Sequence, residues 1–284
     1  MRKIKVKEIE KKVCEAALKA NFNLRGDVLS ALKKAVKTET KLVAKKMLKI
    51  LIENACIARC QKIAICQDTG MVVVFCQIGN KVQIIGDVSK AINNGIKAAY
   101  KQGCLRKSVV DDPLVRKNTN TNTPAVIHYD IISGDKIKIS VMPKGFGSEN
   151  KTKLKMFNPT VGIGEIKKFI VEVVKCAGAD ACPPYIIGVG IGGTADYACL
   201  LAKKALLEPT AHSPQPTAHS SKLTAKLQKD LLTEINRLNI GPMGLGGRTT
   251  CLGVNILTYP THIAGLPVCV NVCCHALRSA EVII

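Results

Sequence analysis

The chain has no tryptophan and only five tyrosines and five phenylalanines, so aliphatic side chains must fill its core. Long apolar runs are missing too. Mean hydropathy is weakly positive, yet no stretch approaches the roughly 20 residues that a membrane-spanning helix needs. The N-terminal Met1-Arg2-Lys3-Ile4-Lys5 runs into alternating charges and not into an apolar signal core. Cytoplasmic residence is the expectation. Acidic residues are scarce: 21 Asp and Glu face 42 Lys and Arg, for a formal net charge of +21. Such an excess suits nucleic acid, an acidic partner, anionic substrates or a solvated surface. Nucleic-acid readers cluster arginine and aromatics on a recognisable motif. Here the lysines are dispersed, and neither a zinc-finger spacing nor an aromatic ribonucleoprotein motif is present. The charge reads most simply as a solvated surface that also steers small anions.

Cysteine is plentiful by comparison, with thirteen in 284 residues. An odd number in a chain of this size, with no signal peptide, argues against a disulfide framework. Many free cysteines are small core hydrophobes, and Cys14, Cys56, Cys60, Cys104, Cys199 and Cys251 are expected to be of that kind. Cys56 and Cys60 fall at i and i+4 of a helical run, where core packing suffices; structural zinc usually shows paired Cys-x₂₋₄-Cys spacing. Bacterial ferredoxin spacing is absent as well. Three loop cysteines remain, Cys66, Cys182 and Cys274, separated by gaps that carry no specificity of their own.

Residues 5–60 read as two or three helices with lysines opposite the apolar positions. Leu29, Leu32, Ala35 and Val36 form one stripe, and Val43, Met47, Leu48 and Leu51 another. Strands are expected at Val72–Cys76 and Val82–Ile85, with Gly79-Asn80 as a turn between them. A helix through Ile92, Ile96, Ala99 and Tyr100 follows. Two alternating runs around Ser133-Gly134-Asp135 predict a hairpin over 125–143. Further elements are a helix around 165–176, a strand at 185–189 and helices at 195–207 and up to about 238. A β-rich, glycine-punctuated end completes the chain. Residues 209–221, rich in Pro, Thr, Ser and His, read as a surface loop. The fold class is α+β, with mixed sheets, an N-terminal helical segment and chemistry-bearing loops between elements. The whole of 1–284 reads as one domain, divisible into two subdomains at a seam near 209–221.

Four loops carry groups that can do chemistry. Cys66-Gln67-Asp68-Thr69-Gly70 packs a soft ligand, an amide, a carboxylate and a hydroxyl ahead of a glycine, although an ordinary Asp-Thr-Gly turn accounts for it equally well. Lys144-Gly145-Phe146-Gly147-Ser148-Glu149 offers glycines for close backbone approach, but Glu149 after the serine breaks the P-loop pattern. Gly188, Gly190 and Gly193 satisfy G-x-G-x-x-G between a strand and a helix. The acidic residue that pattern requires about twenty positions on is matched only by Glu208, which ends a helical run. A nicotinamide-dependent oxidoreductase is therefore kept as an alternative, alongside a basic nucleic-acid-binding protein. The fourth loop set runs from Gly241 to Thr250, through Thr261-His262-Ile263-Ala264-Gly265, to Cys273-Cys274-His275.

Together these blocks resemble the class I, iron–sulfur-dependent fumarase and tartrate dehydratase family, specifically its α subunit or N-terminal domain. The resemblance spans nearly the whole chain, from Glu53-Asn54-Ala55 through Ile65–Gly70, Asp112-Pro113-Leu114, Asn118–Pro124, Lys144–Lys151, Cys182-Pro183-Pro184, Gly188–Asp196 and Gly241–Thr250 to Thr261–Pro267. It implies a [4Fe–4S] cluster held by three thiolates, Cys66, Cys182 and Cys274. Cys273 and Cys269 stand as alternatives for the third. Cys274 is preferred because the family's ligand lies four residues before an arginine, here Arg278. Three ligands leave one of the four irons open as a Lewis acid.

The resemblance also places Gln67, Asp68, Arg106 and Gly147 near the substrate. Asp68 is the implied proton relay. Arg106 can fork onto a carboxylate as lysine cannot, and Gly147 lets a backbone N–H approach. His262 is a further polar site candidate. Phe146 and Asn120 stand where the family usually has glycine. The family's second domain, which adds arginines, a lysine and a threonine, has no counterpart before Ile284. A separate β subunit and an α2β2 hetero-oligomer are implied, with reversible hydration of fumarate to L-malate as the reaction and tartrate dehydration as the alternative.

Overall fold

The structure is a computed structural model that describes residues 1–210 and 222–284. In chain order the elements begin β1 (Arg2–Lys5), α1 (Val6–Phe22), α2 (Gly26–Thr38), α3 (Leu42–Gln61), β2 (Met71–Gly79), β3 (Val82–Ile85) and α4 (Val88–Gln102). Next come β4 (Val126–Ile132), β5 (Ile137–Lys144), α5 (Phe146–Glu149), β6 (Lys153–Phe157), α6 (Ile163–Ala177) and β7 (Tyr185–Gly192). The last are α7 (Ala195–Ala205), α8 (Lys222–Asn236), β8 (Cys251–Tyr259), β9 (Leu266–Cys273) and β10 (Ala280–Ile283). The expected α+β class is what the chain adopts. No helix among the described residues is long and apolar enough to cross a membrane. Two units emerge, Met1–Arg25 with Asn54–Phe146 and Arg278–Ile284, and Gly26–Glu53 with Gly147–Leu277. The seam expected near 209–221 lies almost wholly outside the described residues.

The first unit is built on a four-stranded sheet in the order β10-β5-β2-β4, beside a parallel β1–β3 pair. Val72, Val74 and Cys76 of β2 pack with Ile137, Ile139 and Val141 of β5 against Ile9 and Val13 of α1 and Ile92 and Ile96 of α4. The start of α4 is fixed by Asp87, whose carboxylate accepts the Lys90 N–H at 2.9 Å.

The hairpin expected over 125–143 is overturned. Both runs are strands, but β2 lies between them, parallel to β4 and antiparallel to β5. Burial decides the order. Residues 72–76 are all buried, which suits a central strand, whereas β4 alternates between exposed and half-buried and suits an edge. The Gly79-Asn80 turn closes onto the β4–β5 connection: Asn80 N–H donates to the Ile132 carbonyl at 2.8 Å and Gly134 N–H to Asn80 Oδ1 at 3.1 Å.

Three helices fill the N-terminal sixty residues, as the spacing leads one to expect. Their faces are turned slightly from the expected stripes: Ala31 and Ala44 are buried, while Val43 is exposed. Cys56, Cys60 and Cys104 are exposed and not core residues; Cys14 and Cys199 are half-buried, and only Cys251 of that group is buried. An i,i+4 spacing defines a helix face without saying which way it turns, and α3 buries Leu48, Leu51, Ala55 and Ala58 instead.

The second unit has a sheet in the order β6-β9-β7-β8. Val268, Val270 and Val272 of β9 join Ile166, Ile170 and Val173 of α6 and Leu231 and Ile235 of α8 in one core. The opposite face of β9 places Cys269 against Ala198 and Ala202 of α7. Gly188 and Gly190 let α7 lie directly on β7. A Cβ on either would stand 2.1 Å from a helix carbonyl, Ala202 O or Ala198 O. Close helix–strand packing accounts for these two glycines.

Tyr100 joins both levels of the first unit. Its ring is in the core, and its hydroxyl donates to the Thr69 carbonyl at 2.6 Å and the Gly70 carbonyl at 3.2 Å. Burial pushes its phenol up to about 12 from the ordinary 10.0. A phenol raised in this way supports folding fully below pH 10, and the support drains away as pH rises toward 12. Tyr100→Phe should cost about 1–3 kcal/mol, by leaving the Thr69 carbonyl without this donor. It should also flatten the loss of stability between pH 10 and 12 in denaturant titrations. Gly190→Ala should cost about 1–3 kcal/mol through overpacking. Gly164→Ala in α6, where a Cβ meets nothing within 4 Å, should instead stabilise by about 0.5–1 kcal/mol; the same titrations compare the two.

Candidate active site

In the first unit Ile65–Gly70 connects α3 to β2, and its backbone is held from several sides. Asn54 Nδ2 donates to the Ile65 carbonyl at 2.9 Å. The Asp68 carbonyl accepts from Arg278 Nη2. That of Gly70 accepts from Asn122 Nδ2 at 3.1 Å as well as from Tyr100. Gly70 has φ +76°, and a Cβ there would stand 2.7 Å from the Lys144 carbonyl carbon, so this close approach admits only glycine. With the carbonyls engaged, Cys66 and Asp68 are left half-exposed and Gln67 exposed.

Arg106 belongs to the same cluster. Thr69 Oγ1 donates to the Arg106 carbonyl at 2.5 Å, and Asn122 Oδ1 accepts the Ser108 N–H at 2.8 Å. The Arg106 residue itself is exposed. Asp68 Oδ2 accepts the Phe146 N–H at 2.7 Å and Oδ1 the Gly70 N–H at 3.0 Å. Two of a carboxylate's roughly four acceptor positions are therefore engaged. Register produces this contact: Met71 pairs with Lys144 at the end of β2 and β5, which brings residue 146 opposite residue 68.

The two departures from the family pattern have local explanations. Asn120 takes φ +58°, the left-handed region that asparagine tolerates best after glycine, and its N–H donates to Asn118 Oδ1 at 2.7 Å. Phe146 contributes its N–H to Asp68, while its side chain is exposed and displaces nothing.

In the second unit Cys182 follows α6 on a tight loop with φ +56°, an unusual conformation for a side-chain-bearing residue. Its carbonyl accepts the His275 N–H at 3.4 Å and faces His275 Nδ1 at 3.0 Å. The Cys182 and Cys274 loops are thus joined. Burial pushes the nearby Tyr185 phenol up, against a lowering backbone hydrogen bond at Ala181 and reinforced by negative charge at Cys182, Asp180 and Cys274. The Met243 N–H donates to the Pro183 carbonyl at 2.8 Å, tying in the 241–250 loop.

Cys182 and Cys274 are half-exposed, whereas Cys269 and Cys273 lie buried in β9. Burial, reinforced by neighbouring Cys199, pushes the Cys269 thiol well above the ordinary range and so disfavours the thiolate. Glu149 pairs with Lys203 and accepts from Asn271 Nδ2 at 3.1 Å. Gly147 has nothing within 4 Å of where a Cβ would stand. His262 occupies an exposed turn and its Nδ1 accepts the Ala264 N–H at 3.2 Å.

Cys66, Gln67, Asp68 and Arg106 are thus grouped in the first unit, and Cys182 and Cys274 in the second. Three supporting residues were not singled out from the sequence. Tyr100 reads there as one more member of an apolar stripe, although a buried phenol needs a partner. Asn122 lies inside a polar block with nothing to mark it. Glu39, buried, accepts from the Arg248 and Thr249 N–H groups at 2.9 and 3.2 Å and so shapes the 241–250 loop.

Among the described residues no three His, Cys, Asp or Glu side chains are grouped as ligands of a metal ion. An iron–sulfur cluster asks for something else, separate thiolates on separate irons. The donor set suits it: soft thiols on loops, half-exposed and not in disulfides. A buried guanidinium, Arg278, stands at the Cys66 loop, and its Nε and Nη1 have no hydrogen-bond partner among the described residues. The residues present fit an anionic, thiolate-held group.

Comparison with known proteins gives the family. The family model described as fumarate hydratase (Fumerase) matches residues 10–283. A Methanocaldococcus jannaschii protein named "Putative L(+)-tartrate dehydratase subunit alpha" is 42% identical over 275 residues, covering 94% of each chain. The L(+)-tartrate dehydratase subunit alpha of Escherichia coli K12 is 29% identical over 261 residues, covering 91% of this chain and 84% of its own. With a family match across almost its full length, this chain belongs to the fumarate hydratase family.

Proposed function

We propose that the chain is the α subunit of a two-subunit [4Fe–4S] hydro-lyase that reversibly hydrates fumarate to L-malate. The carrying observation is the first-unit cluster, where a loop thiol, a hydrogen-bonded carboxylate and an arginine are assembled around one rigid backbone. Tartrate dehydration is the second reading, favoured by the names of the relatives. Those names, each a subunit alpha, also support a separate β subunit that completes the site; we propose an α2β2 assembly of the two. Thirteen thiols suit a reducing compartment, and we place the enzyme in the cytoplasm.

The ligands in this reading are Cys66, Cys182 and Cys274. The half-exposed loop position of Cys274 supports it over Cys269 and Cys273 in the buried strand. When bound, the cluster supplies a Lewis-acidic iron for the hydroxyl that leaves in dehydration. The protein's own groups do the rest. Arg106 grips one substrate carboxylate through its planar fork. Gln67 and the Gly147 N–H orient the remainder, with His262 at the margin. Asp68 takes the proton from C3, the carbon next to the one that loses its hydroxyl, and returns it when water adds. The Phe146 and Gly70 N–H groups hold its carboxylate in place while leaving acceptor positions for that proton.

Anaerobic reconstitution tests the ligand set. Cys66→Ser and Cys182→Ser should bind markedly less iron and sulfide than the wild type, whereas Cys56→Ser on the exposed face of α3 should match it. Undiminished iron in Cys66→Ser would refute the assignment. Asp68→Asn should retain the cluster but lose roughly 10²–10⁴-fold in kcat. Activity on fumarate, malate and the tartrates should be negligible until the β subunit is added; robust turnover by this chain alone would contradict the two-subunit reading.

A further inference from the structure

Arg278 is 3% exposed, and its guanidinium is incompletely matched. Nη2 donates to the Asp68 carbonyl, while Nε and Nη1 are buried and have no hydrogen-bond partner among the described residues. Arginine cannot shed its proton to escape such a site. The surrounding groups do not meet the charge. The Asp68 carboxylate takes its hydrogen bonds from the Phe146 and Gly70 N–H groups, and neither Nε nor Nη1 of Arg278 reaches it. Tyr100, close enough for Arg278 to lower its pKa against the larger effect of burial, donates its own hydroxyl to Thr69 and Gly70.

A strut for the Asp68 carbonyl needs one donor and no charge. Burying a full guanidinium for that purpose brings a desolvation cost that one carbonyl does not offset. An arginine serving substrate would present its fork to the solvent through which substrate arrives, as exposed Arg106 does. Arg278 instead keeps its unmatched nitrogens enclosed, on the backbone of the loop that carries Cys66.

We propose that Arg278 is the buried counter-charge of the cluster–thiolate assembly, its Nε and Nη1 hydrogen atoms reserved for that anionic group at the Cys66 loop. This rests on the cluster reading given above. It makes Arg278 a positioning and retention residue, distinct from the groups that handle substrate.

The test uses the full chain, reconstituted anaerobically with iron and sulfide, as wild type, Arg278→Gln and Arg278→Lys. Iron and sulfide content, the rate of iron loss to a chelator, and the melting temperatures of the apo and loaded forms are measured. Apo Arg278→Gln should melt no lower than apo wild type, because the unmatched charge is gone. Once loaded, it should release iron at least about ten-fold faster and gain less thermal stability from loading. Arg278→Lys, which keeps the charge, should lie nearer wild type. Arg278→Gln that holds iron as wild type does would overturn the proposal. So would an apo variant melting well below wild type, which would make Arg278 a structural strut. A wild-type chain that takes up no iron sinks the cluster reading and this inference together; a loaded wild type with an unimpaired Arg278→Gln sinks this inference alone.

Discussion

The carbonyl groups of Asp68, Thr69 and Gly70 each receive a hydrogen bond from a side chain that is itself buried, respectively Arg278, Tyr100 and Asn122. None of the three donors is near this loop in sequence. Together they hold the backbone, so that Cys66, Gln67 and Asp68 present their side chains outward. Gly70 completes the arrangement by lying against the Lys144 backbone, where the β2–β5 register brings the Phe146 N–H to the Asp68 carboxylate. Sheet pairing thus sets site geometry. A change in β2 would be felt at the carboxylate without touching it.

The second unit uses the same device with different parts. Its glycine-bearing strand β7 lets α7 pack at backbone distance, while β9 divides its residues between two apolar faces. Cys182 and Cys274 are on the loops that follow α6 and β9, joined through His275. Buried Glu39 shapes the 241–250 loop, whose Met243 N–H in turn engages Pro183. In both units the loops that carry chemistry are ordered by buried polar groups, and such groups are costly when left unmatched. That is why the unmatched nitrogens of Arg278 stand out against their surroundings.

Local pattern made most elements legible. Periodicity located the three N-terminal helices and α4, and β-branched runs located β2, β4 and β5. Pairing was not legible, because a run of alternating residues does not say which strand lies beside it. The 125–143 segment reads as a hairpin until β2, buried at every position from 72 to 76, takes the centre. Burial of single cysteines was equally hidden: Cys56 and Cys60 share a helix face, and spacing cannot say that it points to solvent. At the site, the Cys66 loop alone is indistinguishable from a turn. Its proposed ligand role, like those proposed for Cys182 and Cys274, is read from the ordered set of family blocks. Tyr100 and Asn122 stayed unseen because their partners are backbone carbonyls, which no side-chain pattern marks.

The family match places the chain among the fumarate hydratases, and in the account proposed from it three thiolates would leave one iron of a cluster open for hydro-lyase chemistry. Mössbauer spectroscopy of the chain reconstituted with ⁵⁷Fe and assembled with its β subunit tests that account most directly. One iron of about four should be distinct from the others, and its signal alone should shift when dicarboxylate is added. Four equivalent irons that do not respond to substrate, or a chain that binds no iron, would contradict it.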